Sequence, residues 1–136
     1  MKYKIIDNIT SDIKFEVYGN TLNELFENAA LALFDIICRR ELVEPIEKVK
    51  FSVAGSDSKD LLYNFLERLL ALVDIEEMFF SKFNIKKINS KNLEAEIFGS
   101  VVSQELGKTV VKAVTNHEFN LIKRRGKYIA SVVLDV

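Results

Sequence analysis

A strict alternation of apolar and polar side chains, repeated in several short stretches, constrains the fold of this sequence most. In the first clear example, Ile13, Phe15 and Val17 alternate with polar side chains. Such alternation is typical of a β-strand that buries one face. Similar strand patterns occur in residues 48–53, 82–86, 93–98, 110–115, 118–123 and 128–134. We therefore expect a sheet that is largely antiparallel, with turns between neighbouring strands.

Two stretches show helical spacing instead of alternation. The first begins after Thr21, which forms a capping-box pattern with Glu24, and continues to Ile37. The second follows residues 55–58 and is the most apolar stretch of the chain, so we expect this helix to be the more buried one. Strands with two segregated helices predict an α+β fold, with two principal helices packed on the sheet. The length of 136 residues predicts a single domain spanning residues 1–136.

The charge balance excludes a strong bulk electrostatic field. The chain carries 19 basic and 20 acidic residues, for a formal net charge of -1. A field that attracts nucleic acid or anionic lipid needs an excess of positive charge. If RNA is involved, we therefore expect another protein to hold it. The N-terminal residues lack the apolar segment of a signal peptide, and no apolar run reaches about 20 residues, so we expect a soluble, cytoplasmic protein without a membrane span.

The common enzyme motifs are absent from the sequence. We find no phosphate-binding loop, dinucleotide fingerprint, nucleophile elbow or zinc-binding pattern. The single cysteine, Cys38, excludes an internal disulfide and lies on an apolar helix face, where a small core residue is expected. His117 is the only histidine, which excludes a histidine-rich metal site and leaves a structural histidine or a single catalytic base as alternatives.

Two aspartates at the ends of predicted strands form the candidate site. Asp12 opens one strand and Asp135 closes another, so antiparallel pairing of these strands brings the two carboxylates together. If the chain ends at Val136, a terminal carboxylate stands beside them. A hard divalent cation such as Ca²⁺ relieves the repulsion between such groups. The alternatives are a turn aspartate with a solvated strand end, or a carboxylate pair for general acid–base catalysis.

Several segments together resemble one known family. They are Thr10-Ser11-Asp12 with Val17-Tyr18-Gly19, the helix segment from Leu25 to Phe34, Lys112-Ala113-Val114-Thr115 before His117, and the final Val133-Leu134-Asp135-Val136. In their order and spacing these segments resemble archease, and the match runs nearly from end to end.

The resemblance implies a function that composition alone does not indicate. Archeases are accessory proteins of the RtcB-type RNA-splicing ligase, which joins tRNA halves with GTP and a divalent metal. The resemblance implies that this chain promotes ligase guanylylation and repeated turnover without being an enzyme, and that it meets tRNA only through the ligase. It also implies a Ca²⁺ site, or a Mg²⁺ site, formed by Asp12, Asp135 and Val136.

Two further residues match family positions. Glu27 and Lys112 are candidates for contact with the ligase, although a solvated helix face and an outward-facing strand lysine are the ordinary explanations for them. The first motif also departs from the family, since Asn8 and Ile9 stand where an aspartate and a histidine are usual. Loss of the imidazole leaves oxygen ligands, which favour Ca²⁺ or Mg²⁺ over zinc. A general chaperone-like binding module and a metal-dependent hydrolase remain alternative functions.

Overall fold

The computed structural model describes residues 1–8 and 11–136, and of Asp7 and Asn8 it describes the backbone alone. Ile9 and Thr10, which belong to the first family-like motif, lie outside the described residues. In chain order the elements are β1 (Tyr3–Asn8), β2 (Asp12–Gly19), α1 (Leu22–Ile37), a 3-10 turn (Arg40–Leu42), β3 (Glu47–Ala54), α2 (Ser58–Glu76), β4 (Met78–Ile88), β5 (Asn92–Val101), β6 (Ala113–Arg124) and β7 (Lys127–Asp135).

The strands form two antiparallel sheets. The first sheet has four strands in the order β1-β2-β7-β6, and the second has three in the order β3-β5-β4. The chain therefore has the predicted α+β class, but its strands divide between two sheets where the sequence predicted one. No described helix combines the length and the apolar character needed to cross a membrane.

Alternation along β2 sets the inner face of the first sheet. Ile13, Phe15 and Val17 are buried, whereas the residues between them are half-buried. Because side chains alternate across a strand, Asp12 and Lys14 share the outer face. The position of Asp12 on that face follows directly from the burial of its apolar neighbours.

Helix α1 is the more buried of the two helices, so the prediction that α2 would be more buried is wrong. Ten residues of α1 are buried, against six of α2. Three of the ten are the small Ala29, Ala30 and Ala32, and α1 contacts both β2 in the first sheet and β4 in the second. Helix α2 also contacts both sheets, through β6 in the first and through β3 and β4 in the second, so the number of layers does not separate the two helices. The difference lies in how much of each helix surface is covered, which the apolar content of α2 did not reveal.

Two predicted strands near the C-terminus are one strand in the structure. β6 runs from Ala113 to Arg124, and its pairing with β7 is interrupted between Thr115 and Asn120. Glu118, within this interruption, has φ of 55°, a left-handed conformation that is uncommon for residues other than glycine. The sequence pattern divided this region into two strands, residues 110–115 and 118–123, and the boundary between them coincides with the interruption.

Candidate functional site

The pairing of β2 with β7 places Asp12 directly opposite Asp135. The backbone N–H of Val136 donates to the carbonyl oxygen of Ser11 at 3.1 Å, so the neighbouring Asp12–Asp135 pair is the non-hydrogen-bonded kind. In such pairs the side chains lie on one face, with Cα atoms about 4.5 Å apart. The antiparallel arrangement on which the sequence argument depended is therefore present.

The backbone around Asp135 is held from both sides. On one side lies β2, and on the other the N–H of Lys112 donates to the carbonyl oxygen of Asp135 at 2.8 Å. Ala113 is the β6 partner of Asp135. Asp135 thus ends a central strand of its sheet, which gives its carboxylate a rigid support.

The two carboxylates suit a hard cation in their chemistry but do not fill its coordination sphere. Ca²⁺ takes six to eight oxygen ligands, and Mg²⁺ takes six. Among the described side chains, no group of three or more His, Cys, Asp or Glu residues could hold a metal ion. Asp12 and Asp135 can therefore supply carboxylate oxygens, while other oxygen ligands, such as backbone carbonyls and waters, have to supply the rest.

A basic side chain, that of Lys14, also lies on the outer face near this pair. Lys14 is two residues from Asp12 on the same strand face, and its Nζ lies 2.8 Å from Oε2 of Glu118. This ion pair lowers the pKa of the Glu118 carboxyl, through the hydrogen bond and charge of Lys14. Lys14 and Glu118 could not be predicted as a pair, because they are far apart in sequence and the left-handed conformation of Glu118 has no clear sequence signal.

The side chain of Lys112 lies on a different surface from Asp12 and Asp135. It helps to line a largely apolar cavity of about 540 Å³ between α2 and residues 104–112, and neither Asp12 nor Asp135 lines it. Glu67 and Asp74 of α2 also line this cavity, and Val110 at its edge is 82% exposed. Lys112 is exposed, as a contact residue for a partner has to be.

Glu27 is not on a fully solvated helix face. It is half-buried, and its Oε2 accepts a hydrogen bond from the backbone N–H of Ile85 in β4 at 3.0 Å. Asn23, one turn earlier in α1, donates its side-chain N–H to the carbonyl oxygen of Ile85 at 3.2 Å. These bonds fall where the β4–β5 register shifts, between Ile85 and Lys87. Because β4 is an edge strand of its sheet, Glu27 supplies an acceptor for a backbone N–H on the side that has no neighbouring strand among those described.

The other reactive side chains do not assemble into a catalytic group in the described part of the chain. His117 is exposed, with Nε2 at 3.6 Å from Oε1 of Glu118. Cys38 is fully buried, and loss of solvation raises the pKa of its thiol to about 12. A thiol with that pKa is protonated at neutral pH and is a poor nucleophile. The prediction that Cys38 is a small core residue is confirmed.

The geometry defines an α+β protein with an acidic pair at the end of its central strands, and comparison with known proteins identifies its family. The sequence profile of the Archease protein family matches residues 3–136. Protein archease of Sulfurisphaera tokodaii is 40% identical over 131 residues, covering 93% of this chain and 94% of the relative. Protein archease of Methanothermobacter thermautotrophicus is 36% identical over 134 residues, covering 95% of each.

Solved structures agree with these matches. The solution structure of protein 1598 of Methanobacterium thermoautotrophicum has a TM-score of 0.84 and 33% identity, with 98% of both chains covered. The crystal structure of an archease of Thermotoga maritima has a TM-score of 0.71 over 98% of this chain and 97% of the other, and at 17% identity it supports the fold alone. This chain belongs to the archease family, as the resemblance predicted.

The role of Glu27 in the fold can be measured by replacement. We expect Glu27→Ala to reduce the free energy of unfolding by about 2 kcal/mol, because the Ile85 N–H loses its acceptor. Glu27→Gln keeps an oxygen acceptor and is expected to lose less than half as much. Urea unfolding followed by circular dichroism measures both values. Equal stability of Glu27→Ala and the unaltered chain would contradict the structural role.

Proposed function

We propose that this chain is a non-catalytic accessory protein of an RtcB-type RNA-splicing ligase in tRNA splicing. In this proposal it promotes guanylylation of the ligase and allows repeated turnover, with a bound divalent cation, and the ligase holds the tRNA. Membership of the archease family supports the choice of partner. The single structural observation that supports a site is the Asp12–Asp135 pair at the end of β2 and β7.

The proposed cation is Ca²⁺, with Mg²⁺ as the second choice. Two facing carboxylates repel each other in the absence of a cation, and like charges directly opposite in a sheet reduce its stability. A cation converts this repulsion into attraction and supplies a positive centre at the end of the first sheet. Asp12, Asp135 and Val136 are the residues that we propose around it.

Lys112 is the proposed ligase contact. Its exposed side chain and the exposed apolar Val110 lie beside the same cavity, so a partner can meet a charge and an apolar surface together. The backbone N–H of Lys112 also binds the carbonyl oxygen of Asp135. One main-chain hydrogen bond therefore joins the two residues, although their side chains serve different surfaces. Glu27 stays a predicted ligase contact through its second carboxylate oxygen.

A chaperone-like binding module is the second candidate function. The Thermotoga maritima protein is described as an archease and possible chaperone. The apolar cavity beside Val110 is the surface in this chain that favours such a role, since exposed apolar patches bind other proteins. This candidate predicts protection of unrelated unfolded proteins and no response to changes at Asp12 or Asp135.

Calcium binding can be tested through stability. In EDTA we expect Asp12→Asn to raise the free energy of unfolding by about 0.5 kcal/mol, because it removes the repulsion from Asp135. At a Ca²⁺ concentration of 100 times Kd, the unaltered chain should gain about 2.7 kcal/mol, and Asp12→Asn should lose most of this gain. Asp135→Asn should behave in the same way, and the double replacement should lose little more of the calcium stabilisation than either single replacement.

Glu76→Gln is the matched control for the calcium experiment. Glu76 is an exposed acid at the end of α2 and is remote in sequence from both aspartates. Its replacement removes one negative charge and should leave the calcium response unchanged. Calorimetry that detects no Ca²⁺ or Mg²⁺ binding by the unaltered chain would contradict the cation site.

The activator role requires a ligation assay with the cognate ligase. With limiting ligase, GTP and divalent metal, we expect this chain to increase both the guanylylated fraction and the product formed per ligase beyond one turnover. Asp12→Asn should lose most of this increase, and Lys112→Ala should weaken it without a loss of stability. Glu76→Gln and Lys59→Ala are the matched controls. If the chain changes neither guanylylation nor turnover number, the proposal is wrong.

A further inference from the structure

A second candidate site lies at the opposite end of β2 from Asp12. A cavity of about 640 Å³ is bounded by the end of β2, the start of α1 and the turn between β6 and β7. The lining of this cavity includes the basic Arg124, Arg125 and Lys127 and the aromatic Tyr18 and Tyr128. The cavity is large enough for a nucleotide-sized group.

The positive charge is concentrated here within a chain that is nearly neutral. Residues 123–127 contain four of the 19 basic residues, while the formal net charge of the whole chain is -1. Arg124, Arg125 and Lys127 are exposed, and none of them forms an ion pair with a carboxylate that the structure describes. Their charges are therefore available to a ligand.

Three lysines on the second sheet, in contrast, lie close to a carboxylate. Lys48, Lys50 and Lys86 surround Glu96, with Nζ to carboxylate distances of 4.0, 3.8 and 3.7 Å. That cluster shares one anion. Among the described residues that line the cavity beside the β6–β7 turn, Glu24 is the single acidic residue. The Oε1 of Glu24 already accepts the Asn20 N–H at 3.3 Å, as part of the α1 cap.

The backbone holds the cations in place. Arg124 and Lys127 are paired residues of β6 and β7, joined by Arg125 with φ of 53° and Gly126 with φ of 77°. Two successive positive φ values are typical of a type I′ turn, the turn that suits the twist of a two-residue hairpin. The base of each side chain is thus fixed by a tight turn.

Tyr18 adds a second kind of contact. It lies on the outer face of the first sheet, which Arg124 and Lys127 share. Tyr128, the β7 partner of Gly19, lies on the inner face against the core, with Lys123 Nζ 5.3 Å from the centre of its ring. The hydroxyl of Tyr18 donates to Glu16 at 2.9 Å, which orients the Tyr18 ring. Aromatic rings next to free cations are the combination that binds single-stranded nucleic acid, because bases stack while phosphates pair with the cations.

We propose that this cavity binds the phosphate backbone of single-stranded RNA. Arg124 and Arg125 hold phosphate oxygens through their planar guanidinium groups, Lys127 adds a third positive charge, and a base lies against Tyr18. The inference goes beyond the proposed function, in which the ligase holds the tRNA, by adding a direct contact between this chain and RNA. An acidic protein segment matches the charges but leaves the aromatic surface without a role.

The proposal can be tested with purified protein and a fluorescent ten-nucleotide oligouridylate, by fluorescence anisotropy. Arg124→Gln, Arg125→Gln and Lys127→Gln together should weaken binding at least tenfold at 50 mM salt. The matched control is Lys59→Gln, Lys87→Gln and Lys91→Gln, which removes three exposed charges outside the cavity and should change binding less than twofold. Three phosphate contacts predict a slope of about -2 for log affinity against log salt.

Competition with other anionic ligands in the same assay shows which kind of anion the cavity prefers. Inorganic phosphate, GTP and a polyglutamate peptide should compete weakly with the RNA. Absence of saturable RNA binding, equal losses in both triple variants, or tighter binding of GTP or polyglutamate than of RNA would each overturn the proposal. The assay contains no ligase, so its failure is distinct from failure of the activator role.

Nuclear magnetic resonance of the unaltered chain locates the RNA without any substitution. RNA should shift the backbone amide signals of Gly19, Arg125 and Tyr128 and leave that of Asp135 unchanged. Shifts confined to other parts of the chain would overturn the assignment of the cavity even if RNA binds.

Discussion

The pairing of β2 with β7 is the contact on which both candidate sites depend. It runs without a register shift from Asp12 opposite Asp135 to Gly19 opposite Tyr128. The buried Ile13, Phe15 and Val17 set this register, because a slip of one residue would turn them towards solvent. Helix α1 covers that apolar face and also reaches the second sheet through β4. The core therefore determines which residues meet at each end of the two strands.

The two ends of this strand pair have opposite charge. Asp12 and Asp135 form the acidic end, whereas Arg124, Arg125 and Lys127 surround the basic end near Tyr128. The seven residue steps between Asp12 and Gly19 correspond to about 23 Å at about 3.3 Å per residue. A chain with almost no net charge can thus present a cation site and an anion site without mutual neutralisation, since this separation exceeds the screening length of about 8 Å at physiological salt.

Much of this arrangement could be predicted from local sequence patterns. Alternation identified β2, the Thr21–Glu24 pattern located the start of α1, where Thr21 Oγ1 accepts the Glu24 N–H at 3.1 Å, and strand-end positions brought Asp12 to Asp135. Long-range contacts were not predictable in this way. The bond from Ile85 to Glu27 crosses 58 residues, and the ion pair from Lys14 to Glu118 crosses 104. The division of the strands into two sheets and the deep burial of α1 likewise depend on packing between distant elements.

Paramagnetic broadening by Mn²⁺ tests most directly the claim that the β2–β7 register builds a cation site. Mn²⁺ prefers the same oxygen ligands as Mg²⁺ and Ca²⁺, and it broadens the signals of nearby amides. We predict selective loss of the Asp12, Ala113 and Asp135 amide signals at low Mn²⁺, with Tyr128 unaffected and with no selective loss in Asp12→Asn. Broadening that is absent near Asp12, or that persists unchanged in Asp12→Asn, would contradict it.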